Sequence, residues 1–110
     1  MSAIPTRTRQ LVRERDGGQC IRCGCPGTEI SHRKRRREGG HEMSNLALAC
    51  GPCHRGWAHA NPQAAMDTGF MISVHGPDPQ TVPIKTFYGW AILTDDGQIH
   101  ASPEPIKGET

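Results

Sequence analysis

Apolar positions are sparse in this chain, and their spacing changes character along it. Up to Arg15 only Leu11 and Val12 stand out, the apolar contribution of a short helix that Thr6 or Thr8 would cap and Asp16-Gly17-Gly18 would end. Two short runs follow, residues 28–33 and 46–49, which read as paired strands. The intervening residues 34–44 form a charged, glycine-bearing loop. Pro52 suits the first turn of a helix lasting to about Ala60; Asn61-Pro62 ends it, and Pro62 opens another turn through Ala65. From Gly69 the pattern turns to strands, residues 70–74 and 90–94. Asp95-Asp96-Gly97 then gives a hairpin signal, with a return through Gln98-Ile99-His100. Residues 76–79 read as a loop, and the Pro- and Glu-rich residues 102–110 as a disordered tail.

The fold class this predicts is small α+β. Residues 1–66 form a unit with an N-terminal helix, and residues 67–101 form a β-strand and hairpin extension. Composition sharpens the picture. With 110 residues, 35% of them hydrophobic and five aromatic, the chain cannot build a large core, and a core this thin calls for a staple. The N-terminus lacks the apolar run of a signal peptide, and no apolar segment is long enough to span a bilayer. The expectation is a cytoplasmic, reducing setting with no membrane association, where paired cysteines serve as metal ligands rather than disulfides.

Cys20-x-x-Cys23 and Cys50-x-x-Cys53, with 26 residues between the pairs, supply that staple. Tetrahedral zinc accepts four thiolates, and a two-residue spacing lets each pair bite from one turn. Gly24 completes a knuckle after the first pair. Four cysteines leave no open position, so this zinc is structural. Cys25 is the odd cysteine, a free thiol by default.

The net charge of +2 conceals an asymmetry. Residues 1–37 hold ten Lys and Arg against three acidic residues, whereas residues 38–110 hold three against eight. A basic half on a small protein points to a polyanion, most simply nucleic acid.

Knuckle, strand, glycine-bearing loop, strand and helix, with His32, Asn45 and His54 at their places, resemble the HNH nuclease family. The closer resemblance is to small bacteriophage members with four zinc cysteines, and it covers roughly residues 13–61. It implies a treble-clef-like ββα-metal unit and metal-dependent hydrolysis of DNA phosphodiesters. Catalytic roles then fall to His32, the general base, to Asn45, which holds loop and base in place, and to His54, a ligand of a catalytic Mg²⁺ or Mn²⁺. It also implies phage DNA processing, with packaging, recombination or homing as its setting and packaging or recombination proteins as partners. A neutral imidazole can take a proton from water, and a cation across the phosphorus can stabilise the leaving alkoxide.

Two positions depart from the family pattern. Ser31 stands where an Asp or His ligand usually precedes the base; either it acts through water or another group, such as Glu29, compensates. His59 follows His54 by five residues rather than four, about 140° round a regular α-helix, so it joins the metal only if the helix is irregular near Gly56. The run Arg33-Lys34-Arg35-Arg36-Arg37 leaves from the expected base and would contact phosphates without reading sequence. His41, His75 and His100 read as surface residues. The alternative function is a non-catalytic zinc-finger DNA-binding module in which Ser31 marks a lost active site.

Overall fold

The computed structural model describes residues 3–35 and 40–106. It contains α1 (Thr6–Arg15), β1 (Glu29–His32), β2 (Leu46–Ala49), a π-helical turn (Pro52–Trp57) that runs into α2 (Ala58–Ala60), α3 (Pro62–Asp67), β3 (Ile84–Thr86), β4 (Gly89–Leu93) and β5 (Ile99–Ala101). The architecture is α+β with two antiparallel sheets, β1–β2 and the meander β3–β4–β5. No helix among the described residues is long and apolar enough to cross a membrane.

Helix α1 starts on Pro5, without the threonine side-chain cap expected, because the extended proline places both threonines inside the helix. It ends as the sequence predicts: Gly17 and Gly18 take left-handed φ values of 66° and 74°, and the Gly18 amide returns to the Arg13 carbonyl at 2.9 Å. At this end Arg15 and Asp16 form a pair with side chains 3% and 1% exposed. The Arg15 guanidinium also donates to the Met43 and Leu46 carbonyls, and Asp16 Oδ2 accepts the Leu48 amide at 2.9 Å. The pair fastens α1 to β2, with its charges matched and its donors used, as burial requires.

Strand β2 is buried throughout, and its period-two alternation divides it between two clusters. Leu46 and Leu48 meet Val12 and Met43 near α1. Ala47 and Ala49 face Cys20, Ile21, Cys53, Phe70, Ile84 and Leu93. That second cluster draws on both sides of residue 66, so the C-terminal strands share a core with the cysteine-bearing part.

The strand expected at residues 70–74 does not form. Phe70 and Ile72 are buried, but pairing is confined to one bridge, in which the Ile72 amide donates to the Arg33 carbonyl at 2.8 Å. The partner of β4 is β3, in register Ile84↔Ala91 and Thr86↔Gly89 across the two-residue turn Phe87-Tyr88. Apolar alternation reports burial, and at residues 70–74 burial is satisfied without a ladder. The turn aromatics are exposed, Tyr88 most of all, with their rings edge to face at 4.9 Å. The hairpin at Asp95-Asp96-Gly97 joins β4 to β5 as predicted, with Leu93 opposite Ile99. Ser102 extends the pairing by one bond to the Trp90 carbonyl, and residues 103–106 are exposed. The rest of the expected tail, residues 107–110, lies outside the described residues.

Candidate functional site

The chain folds the two cysteine pairs into one cluster. The sulfurs of Cys20, Cys23, Cys50 and Cys53 lie within 4.8 Å of one another, and all four are free thiols. Thiolates about 2.3 Å from a tetrahedral zinc stand about 3.8 Å apart; Cys23 Sγ and Cys50 Sγ are 3.7 Å apart. The cluster could therefore hold a metal ion such as zinc. The knuckle forms because Gly24, at φ 82°, turns its amide onto the Cys20 carbonyl at 2.8 Å. Strand β2 delivers Cys50, and Pro52 starts the turn that carries Cys53. A zinc tetrathiolate is formally doubly negative, and Arg22 stands beside it: one guanidinium nitrogen is 3.4 Å from Cys53 Sγ while the group stacks 3.6 Å over the Trp57 ring. Cys25 is exposed and outside the cluster.

A cleft of about 470 Å³ is lined by His32, His54 and His59 together with Met66, Met71 and Ile72. His59 reaches it because the helix is irregular. The Ala58 amide bonds the Cys53 carbonyl five residues back, the winding of a π-helix, so residues five apart come round to the same side. His54 is held from behind: Nδ1 is 2.7 Å from Glu29 Oε1, while Glu29 Oε2 takes Arg55 Nε at 2.9 Å. The Arg55 guanidinium, and after it His54, hold the Glu29 carboxyl below its usual range. Both Glu29 oxygens are thus engaged, one by His54 and the other by Arg55.

On β1, His32 places Nε2 3.3 Å from Nδ1 of His41, with ring centroids 5.4 Å apart. His41, expected at the surface, is thus half-buried against the candidate base. Asn45 is buried and ties down both ends of the loop between them. Its Oδ1 accepts the Lys34 amide at 2.7 Å, and its Nδ2 donates to the Lys34 and Gly40 carbonyls at 3.1 and 3.0 Å.

No protein-family model, curated protein or solved structure matches this chain.

The other expected site residues divide between the cleft and the interior. Arg33 is 1% exposed and turned inward, donating to the carbonyls of Gly69, Ser44, Pro79 and Val82; it is unavailable to a phosphate. Burial first, and then the charge of Arg15, pull its guanidinium down to about 10, still charged at neutral pH. Lys34 reaches the Gly76 carbonyl at 2.8 Å, whereas Arg35 is exposed and lines the cleft. Arg36 and Arg37 lie outside the described residues. Ser31 is 3% exposed and does not line the cleft, because alternation along β1 turns it inward opposite Ala47. Among the described residues, no second group of three metal-capable side chains is as tightly gathered as the cysteines. Sequence reasoning missed His41, read as a surface residue, and named Glu29 only as a substitute for Ser31, not as the partner of His54. Glu29 pairs with Ala49, one residue before Cys50, which sets its side chain beside the start of the helix.

Proposed function

We propose that the protein is a metal-dependent DNA endonuclease of the HNH type, with a treble-clef-like ββα unit stapled by structural zinc. The observation that carries the reading is the convergence of His32 from a strand with His54 and His59 from an irregular helix on one open cleft. His32 takes a proton from the attacking water. His54, held at Nδ1 by Glu29, presents Nε2 for a divalent cation, and His59 offers a second imidazole. A bound cation would polarise the phosphoryl oxygens and offset charge on the leaving oxygen. Asn45 keeps the loop on β1. Arg35, with Arg7, Arg9 and Arg13 exposed along α1, supplies phosphate contacts that position DNA without reading sequence. The reading places the protein in phage DNA processing.

Two observations favour a second reading, a zinc-stabilised DNA-binding module without cleavage: no carboxylate among the described residues lines the cleft, and Ser31 is turned away from it. Supercoiled plasmid incubated with the zinc-loaded protein and Mg²⁺, Mn²⁺ or EDTA separates the two. Metal-dependent nicking supports the nuclease; retarded but uncut plasmid with every metal supports the binding module.

A further inference from the structure

Arg55, Glu29 and His54 form a chain of contacts that begins in solvent and ends on the cleft. Arg55 Nε and Nη2 both donate to Glu29 Oε2, at 2.9 and 2.7 Å. The other oxygen, Oε1, takes His54 Nδ1 at 2.7 Å. Two donors on Oε2 fix the carboxylate and leave Oε1 turned to the imidazole. An ionised carboxylate only accepts, so the proton between Oε1 and Nδ1 belongs to His54. That holds whether the ring is neutral or cationic, and no step of a reaction is needed to decide it. Nε2 is therefore the nitrogen left for a ligand. His54 lines the cleft, its side chain is 33% exposed, and Glu29 is its one side-chain partner among the described residues.

The Arg55 contact does little for the fold. Its side chain is 71% exposed, and an ion pair so open to water contributes little to stability. Gly51 makes room for it. A Cβ at residue 51 would stand 2.4 Å from Arg55 Nη2 and 3.4 Å from Glu29 Oε2. The backbone there, at φ −55° and ψ −48°, suits any residue, so it is the guanidinium rather than the chain that asks for glycine.

We propose that Arg55 is a positioning residue of the cleft. Acting through Glu29, it holds the His54 ring with Nε2 ready for a borderline divalent cation, and Gly51 keeps the place of its guanidinium open. The ligand role of His54 rests on the nuclease reading, whereas the ring orientation does not. The support is the imidazole–carboxylate relay common behind metal ions, lengthened here by one cation.

The probe is Ni²⁺, titrated calorimetrically into the zinc-loaded full chain in mildly alkaline buffer. Zinc content is measured before and after, and His54→Ala marks binding outside the cleft. Long-range ¹H–¹⁵N spectra read the His54 ring, and plasmid nicking is run alongside. The expected wild type carries a proton on His54 Nδ1 and binds Ni²⁺ through His54. Arg55→Ala and Gly51→Ala each weaken that binding by about tenfold, the low end for a supporting contact. Arg55→Lys recovers much of it, and Arg55→Ala keeps its zinc and its melting temperature. Equal Ni²⁺ affinity in wild type and Arg55→Ala overturns the proposal. So do a His54 proton on Nε2 alone, Ni²⁺ binding that His54→Ala leaves unchanged, and loss of zinc from Arg55→Ala, which would make the residue structural. If Ni²⁺ affinities follow the expected order but plasmid stays uncut with every metal, the positioning role stands and the nuclease reading falls.

Discussion

Arg33 Nε donates to the Gly69 carbonyl at 2.9 Å, joining the residue after β1 to the turn that closes α3. Gly69 takes φ 73°, and a Cβ there would collide with the Pro83 carbonyl, so only glycine brings the chain this close. Three further carbonyls complete the cradle, one of them from Val82 just ahead of β3. With no carboxylate partner among the described residues, this buried arginine is tolerated because all these bonds are made.

Arg33→Met removes the donors and strands several carbonyls. We expect a loss of about 3 kcal/mol, lowering the melting temperature by about 12 °C or more. Arg33→Lys should fall between, since an ammonium lacks the planar fork. Calorimetry decides. A full melting temperature with weakened DNA binding would instead make Arg33 a phosphate contact.

The cysteine cluster predicts about one zinc per chain by elemental analysis, because four thiolates complete a tetrahedral site. Cys20→Ser or Cys50→Ser should lose both the metal and the native circular-dichroism spectrum, as should prolonged chelation. Cys25→Ser should keep both, since Cys25 lies outside the cluster.

The Glu29 carboxyl is held below its usual range by Arg55 and then His54. Above its unfolded value of about 4.3 both states are ionised and its contribution to stability is complete. As the pH falls through the lower folded value, the unfolded chain has already bound the proton and that contribution disappears. Denaturant melts of wild type and Glu29→Gln should therefore differ near neutrality and converge in acid. A constant gap across that range would show that the pair is not coupled to folding.

Beside His32 the cleft offers the imidazoles of His54 and His59 and, among the described residues, no carboxylate, a donor set that suits borderline ions better than hard ones. Nicking should therefore be faster with Ni²⁺ than with Mg²⁺ or Mn²⁺. His54→Ala should cost more than His59→Ala, because Glu29 holds His54 in place whereas His59 is exposed. A His54→Ala variant that nicks as fast as wild type would remove His54 from the metal.

What the sequence revealed and concealed follows from the kind of signal each feature leaves. Cysteine spacing is local and carries its own geometry, so the cluster is legible, as are the strand pair and the Asp95-Asp96-Gly97 turn. The place of His59 depends on helix winding: a regular α-helix puts it on the wrong side, and only the π-turn at Pro52–Trp57 brings it back. Nothing in a run of five basic residues marks the one that turns inward; Arg33 is distinguished only by carbonyls 11 to 49 positions away along the chain. His41 meets His32 across a loop whose course Asn45 sets, a contact no periodicity reports. Alternation at residues 70–74 predicted burial correctly and pairing wrongly.

The central claim is that His32 activates water in this cleft. Its most direct test is single-turnover cleavage of a labelled duplex by zinc-loaded wild type and His32→Ala, with duplex binding measured alongside at low salt. The account predicts binding within about twofold and a cleavage rate lowered by about 10³-fold in the variant, the scale of a lost general base. Equal rates in the two proteins would contradict it, and so would a wild type that binds duplex but cuts it with no metal.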